Sequence, residues 1–176
     1  MQLEIIHFRE IGSTSDYALT AIETGIIKAN TAILADSQTN GRGRLNGRIW
    51  QSPIGNFYCS YIVDLTELHI KQNETNILTS YVMHILCSHL KSITNSTEIY
   101  IKQPNDILVK NKKLAGILTE ISYPYAVIGI GINLLTSPID CSTNIFDEFN
   151  ILVKPVKLVE TFYGVLMHEV RQCYKS

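Results

Sequence analysis

A stretch of apolar residues long enough to cross a bilayer is missing from this 176-residue sequence; the longest, residues 126–135, falls well short of the roughly twenty that a spanning helix needs. The N-terminus alternates polar and apolar residues and has no apolar signal core, so a cytoplasmic location is expected. An excess of charge is missing too. Fifteen Lys and Arg stand against sixteen Asp and Glu, a net charge of −1, and no global field would draw the chain to nucleic acid or an anionic membrane. Any cationic site has to be local. Cys59, Cys87, Cys141 and Cys173 contain no CxxC pair, and the five histidines form no HExxH, which argues against a zinc site and a disulfide framework. Gly129 and Gly131 make a GxG without the third glycine or a following helix, so a dinucleotide fingerprint is rejected.

What is present is the composition of an ordinary globular protein, 45% hydrophobic and 18% charged, at a length that suits one domain. Alternation predicts a strand over residues 3–8, and Ser13-Thr14-Ser15-Asp16 offers caps for a helix ending near Gly25. Strands are expected over 31–36 and 56–63. Residues 37–53 lack apolar periodicity and carry three glycines and three arginines, which predicts a long, functional loop. Apolar residues at helical spacing predict helices over 74–91 and 156–174. Between them, strands over 98–102, 107–110, 113–121 and 125–135 follow too closely for helical crossovers, so that part of the sheet is antiparallel. The expected fold is α+β: a mixed, largely antiparallel sheet with helices packed on one side.

Three segments could carry chemistry. In Gly41-Arg42-Gly43-Arg44-Leu45-Asn46-Gly47-Arg48-Ile49-Trp50, glycines allow close backbone approach and guanidinium forks suit carboxylate and phosphate oxygens. Alone, such a run is as compatible with a solvated basic loop or an RNA contact. Lys102-Gln103-Pro104-Asn105-Asp106 reads as a turn first and a polar cluster second. Lys113 stands at the mouth of a strand whose Gly116 leaves room against the backbone, or serves as a charge that blocks edge pairing. Helix capping alone accounts for Ser13 and Thr14.

The order of these motifs is more specific than any one of them. Ser-Thr before the first helix, Gly-Arg-Gly-Arg with a following Gly-Arg-x-Trp, Lys-x-Pro-Asn-Asp, Lys-Leu-Ala-Gly-Ile-Leu and Gly-x-Gly-Ile-Asn run from Ser13 to Asn133, and together they resemble the catalytic domain of biotin protein ligases. The resemblance implies a fold related to the class II aminoacyl-tRNA synthetase catalytic domain. It implies an ATP- and Mg²⁺-dependent enzyme that forms biotinyl-5'-AMP and transfers biotin to a lysine of a biotin carboxyl carrier protein or domain.

It also implies roles. Lys113, Arg42 and Arg44 would offset the charge of carboxylate and α-phosphate. Ser13, Thr14, Ser15, Gln38, Gly41, Arg42, Gly43, Arg44, Lys113 and Gly116 would bind biotin. Arg44, Trp50, Lys102, Asn105, Asp106 and Asn133 would face ATP, with Mg²⁺ near Asp106. The arginine loop would be mobile when empty and close over the adenylate.

Three positions depart from the family pattern: Gln103 replaces a tryptophan, the segment between Arg44 and Trp50 is one residue longer, and Ser15 replaces an asparagine. Residues 1–176 are expected to form one catalytic domain with no N-terminal helix-turn-helix and no C-terminal β-barrel. A homodimer is suggested only by analogy. The alternatives are a lipoate or octanoate ligase or transferase of the same fold, and a degenerate protein that binds biotin without transferring it.

Overall fold

The computed structural model of the chain describes residues 2–27, 29–45 and 47–174, the side chain of Asn76 excepted. In chain order the strands are β1 (Glu4–Ile11), β2 (Thr31–Gln38), β3 (Phe57–Asp64), β4 (Ile99–Lys102), β5 (Asp106–Val109), β6 (Lys112–Ser122) and β7 (Tyr125–Ile132). The helices are α1 (Thr14–Glu23), α2 (Leu78–Thr94), α3 (Ile145–Phe149) and α4 (Pro155–Cys173). All seven strands join one sheet in the order β1-β2-β3-β7-β6-β5-β4. β1 and β2 run parallel, with α1 as the crossover, and the other neighbouring pairs are antiparallel. The short gaps are hairpins as expected. Lys110 and Asn111, both at positive φ, form the two-residue connection between β5 and β6, the conformation that matches strand twist.

Alternation along β7 divides the sheet into two faces. Ala126, Ile128, Ile130 and Ile132 enter the main core with α2 and α4, where Leu78, Val82, Met83, Leu86 and Leu90 of α2 and Leu158, Val159, Phe162 and Leu166 of α4 are buried. Val127, Gly129 and Gly131 point the other way. There α1 lays Ala18 and Ala21 against Ile33, Ile62 and Val127. The expectation of helices on one side therefore holds for the two long helices and needs correction for α1. β3 is buried along nearly its whole length and β2 over residues 31–35 instead of alternating, which is what cover on both faces requires.

Two helices differ from expectation in detail. A 3-10 turn at Gln72–Ile77 precedes α2, which runs to Thr94 and ends on Asn95 in the left-handed region. α3 was not anticipated. Asn144 caps it by accepting from Asp147 N, and Asn150 closes it at φ 55°.

α1 covers part of its face only. Beyond its first turn the sheet surface carries Ser60, Gly129 and Leu118 in one cross-strand row and Tyr58, Gly131 and Gly116 in the next. Ser60, Gly129, Gly131 and Gly116 leave a low floor between Tyr58 at one edge and Leu118 at the other. That floor positions the site.

Candidate active site

A cavity of about 470 Å³ stands on this floor, walled by the start of α1, the loop after β2, the β4–β5 turn and the segment after β7. Ser13, Thr14, Ser15, Gln38, Arg42, Gly43, Arg44, Trp50, Lys102, Asn105, Asp106, Lys113, Gly116 and Asn133 all line it. Of the residues expected at the site, Gly41 does not. A Cβ there would meet the Trp50 carbonyl oxygen at 2.5 Å and Ser52 Oγ at 2.6 Å, so Gly41 serves the close approach of the loop to itself.

The loop is a hydrogen-bonded excursion among its described residues. Gln38 N donates to Ser52 O (3.2 Å), Trp50 N to Gly41 O (2.8 Å) and Gly43 N to Arg48 O (2.8 Å). Asn46, in the loop's extra length, lies outside the described residues. Burial pushes the Tyr58 phenol up to about 12, against a smaller downward effect of Asn56, and its hydroxyl donates to Pro53 O (2.8 Å), fixing the chain beyond the loop.

Trp50 returns from the loop to the floor. Its indole lies so close to the paired glycines that a Cβ on Gly131 would sit 2.5 Å from the ring, and one on Gly116 2.8 Å. Lys113 Nζ stands 4.9 Å from the ring centroid as a cation–π partner. The room that Gly116 provides thus goes to this tryptophan. Its buried Nε1 and the buried Oδ1 of Asn133 have no hydrogen-bond partner among the described residues, two orphaned polar atoms in the cavity wall of the kind a ligand satisfies.

The charges are unequal in what holds them. Arg42 is gripped by two carboxylates: Nε lies 2.6 Å from Asp16 Oδ1 on α1, and Nη2 pairs with Glu120 Oε2 on β6. Its guanidinium is thus spent within the protein, and the geometry makes it an anchor of the loop more readily than a free cation for a ligand. Lys113 Nζ is 2.6 Å from Asp106 Oδ1. Arg44, Arg48 and Lys102 are exposed and form no ion pair among the described residues. Five of the fifteen Lys and Arg line the cavity, against one of the sixteen Asp and Glu, Asp106. With Arg42 balanced by Asp16 and Glu120 and Lys113 by Asp106, the cations at the cavity without an ion pair among the described residues are Arg44, Arg48 and Lys102, and these favour anions although the chain as a whole does not.

Backbone contacts hold Lys113 in place. Its N–H donates to Cys141 O (2.9 Å) and its carbonyl accepts Thr143 N (2.9 Å), while Asn133 Nδ2 donates to the Lys113 and Thr143 carbonyls. Asn105 Nδ2 donates to Ile117 O (3.0 Å), tying the β4–β5 turn to β6. Asn133 and Asn105 thus brace the wall they line.

Sequence reasoning missed Gly129 and Gly131, set aside with the dinucleotide motif, as well as Pro138, Ile139 and Ser142 in the wall and Arg48, which had no role assigned. The Ile-Gly-Ile-Gly-Ile alternation was the available signal. A strand with isoleucine on one face and glycine on the other has a core below and an open floor above.

A model of the biotin/lipoate A/B protein ligase family matches residues 8–133. The chain belongs to this family. It is 35% identical over 130 residues to the bifunctional ligase/repressor BirA of Escherichia coli, covering 70% of this chain and 38% of that protein. The structure resembles the biotin protein ligase of Leishmania major in complex with biotinyl-5-AMP, with a TM-score of 0.82, 28% identity, and coverage of 96% of this chain and 75% of that one. For the biotin protein ligase of Aquifex aeolicus in complex with biotin and ATP the TM-score is 0.83, at 26% identity over 98% of this chain and 72% of that one. The chain spans less than half the length of the E. coli relative. As a member of the family it has the expected biotin protein ligase fold, related to the class II synthetases, and no helix among its described residues is long and apolar enough to cross a membrane.

Proposed function

We propose that this chain activates biotin with ATP and transfers it to a lysine of a biotin carboxyl carrier protein or domain of a biotin-dependent carboxylase, its residues acting as a single catalytic unit. One observation carries the reading: segments far apart in sequence converge on one cavity whose lining brings Arg44, Arg48, Lys102 and Lys113 together. Membership in the family and the likeness to ligases holding biotin, ATP and biotinyl-5-AMP support it.

In the first step the biotin carboxylate oxygen attacks the α-phosphorus of ATP, a P–O bond forms, and pyrophosphate leaves. Two anions must approach, so fixed positive charge close to both lowers the barrier. Lys113, held by its backbone to two elements and steadied by Asp106, fits that role, with Arg44 as a second cation from the loop. Ser13, Thr14 and Gln38 at the α1 end would take the biotin ring, and Lys102, Asn105, Asp106 and Asn133 would face the nucleotide. In the second step the neutral amine of the carrier lysine attacks the acyl carbon and AMP departs. The indole of Trp50 would wall the reacting centre against water.

The residues present do not fit a resident magnesium ion: no group of three His, Cys, Asp or Glu suited to a metal occurs among the described residues, and Asp106 is already paired with Lys113. That arrangement suits an ion carried in by the triphosphate.

The test is to incubate the protein with biotin, ATP, Mg²⁺ and a biotin carboxyl carrier domain and to probe the carrier with labelled avidin, repeating with lipoate. Labelling by biotin alone is expected. A ligand-dependent melting shift without labelling would favour a binding protein, and lipoate transfer would favour the other branch of the family. Lys113→Ala should slow pyrophosphate release about a hundredfold, the effect of removing one fixed charge at a reacting oxyanion. Release at the unmutated rate would remove Lys113 from the mechanism.

A further inference from the structure

β7 ends at Ile132, in the middle of the sheet, and the chain must then turn out of the ladder and cross the wall of the cavity. Leaving the ladder strips three successive N–H groups, those of Leu134, Leu135 and Thr136, of strand partners, and backbone donors need acceptors. One side chain supplies all three. Asn56, 2% exposed and placed just before β3, accepts Leu134 N at 2.8 Å, Leu135 N at 3.1 Å and Thr136 N at 3.1 Å on its Oδ1. Its Nδ2 donates to Thr136 O (3.1 Å) and Thr136 Oγ1 (2.8 Å). Converging N–H groups make a concave site of positive partial charge, and here the amide oxygen fills it. Asn56 thus fixes the bend with both halves of its amide.

The bend matters because of what begins there. Residues 137–143 arch past the cavity, where Pro138, Ile139 and Ser142 line the wall, and come back alongside Lys113. The arch is closed on itself. Ser142 N and Oγ both donate to Ile139 O (2.9 and 2.7 Å), and Asn144 Nδ2 donates to Ser137 Oγ (2.9 Å) across its base. A piece so braced passes a displacement on instead of absorbing it. At its far end Cys141 O accepts the Lys113 N–H and Thr143 N donates to the Lys113 carbonyl, both at 2.9 Å. The backbone of Lys113 therefore sits where the arch puts it, and the arch starts where Asn56 puts it.

We propose that Asn56, which does not line the cavity, is a positioning residue for the first chemical step: by gripping residues 134–136 it sets the arch, and through the arch the place of the Lys113 ammonium. The inference rests on the reading of Lys113 as the fixed charge at the reacting oxyanion. Asn56 itself touches no ligand. Position decides because a shift on the order of 1 Å at a reacting group costs up to about a hundredfold in rate. Alanine at 56 leaves three N–H groups without their acceptor and the bend free to open. Aspartate keeps an oxygen in the concavity and sets a second one against the Thr136 carbonyl.

The experiment is a double-mutant cycle on the full chain, reading pyrophosphate release at saturating biotin and ATP for the unmutated protein, Asn56→Ala, Lys113→Ala and the pair. Asn56→Ala should slow release about tenfold or more, with biotin affinity by calorimetry within about threefold. In the Lys113→Ala background the same change should slow it less than about twofold, because no ammonium is left to misplace. A merely structural role would slow both backgrounds alike. Should Asn56→Ala fail to fold, Asn56→Asp takes its place, expected at about three- to fivefold in the unmutated background and less than about twofold in the other. Equal slowing in the two backgrounds, no slowing at all, or a loss of biotin affinity as large as the loss of rate would overturn the proposal while leaving the biotin reading intact. An unchanged rate in Lys113→Ala would remove Lys113 from the mechanism and this inference with it. No pyrophosphate release by the unmutated protein would remove the functional reading as a whole.

Discussion

Arg42 shows how a residue's role depends on what already holds it. Its sequence context suggests a cation for the ligand, yet its guanidinium bridges Asp16 on α1 and Glu120 on β6, so the charge is balanced before any ligand arrives. The two readings predict opposite signs for Glu120→Gln. If Arg42 neutralises phosphate, removing a competing carboxylate frees it and adenylate formation speeds up. If it anchors the loop, the same change loosens the wall that carries Arg44 and Trp50, and formation slows. We expect slowing by about five- to tenfold, with a cost to folding stability within about 1 kcal/mol because the pair is partly exposed. Pyrophosphate release together with a urea melt measures both, and a faster rate would return Arg42 to the list of charge donors.

The segment after β7 makes the same point for elements. α3 has five residues, barely more than one turn, too few for a hydrophobic period to show, so nothing in the sequence pattern marks a helix there. The long helices and the hairpins were legible because each is written locally: seventeen and nineteen residues of helical spacing in α2 and α4, and gaps too short for anything but turns. The face on which α1 packs and the partner that lies against Gly116 were not legible. Both depend on cross-strand register between residues far apart, such as Gly131 opposite Gly116 and Tyr58. α3 matters because Glu148 fastens the wall beside Lys113. It accepts from Thr143 Oγ1 at 2.6 Å and pairs with Lys110 at 3.0 Å, and the Thr143 bond, more than Lys110, holds its carboxyl below the ordinary value. A carboxyl lowered by folding stabilises the native state above its unfolded value, and loses that contribution as pH falls through the lowered one. Glu148→Gln should therefore cost about 1 kcal/mol at neutral pH. Unmutated and variant melting curves should converge in acid below the usual carboxylate range; a difference that persists there would mean that packing, not charge, fastens α3.

At the scale of the molecule, a sheet with a closed face and a partly open one separates stability from chemistry. The apolar faces of α2 and α4 fill the closed side, and the open side keeps glycines, hydroxyls and most of the locally unbalanced charge. Since the whole chain carries a net charge of −1, attraction of a polyanion rests on the few cations at the cavity, and three of these, Arg44, Arg48 and Lys102, are exposed to solvent and to its ions. Salt screens such exposed charges over a distance that shrinks from about 30 Å at 0.01 M to about 8 Å at physiological strength. Ligands of different charge should respond differently. Raising ionic strength from about 0.02 M to about 0.3 M should weaken ATP binding by roughly three- to tenfold, while biotin, with one carboxylate and a neutral ring that the proposed function assigns to the hydrogen-bonding groups at the α1 end, should change less than about twofold. Titrating each ligand separately at both salt concentrations measures this, with the fluorescence of Trp50, the single tryptophan in the chain, as a signal from within the site. Equal salt dependence for the two ligands would place them in the same field, and the division of the cavity into a hydrogen-bonding end and a charged end would then fail.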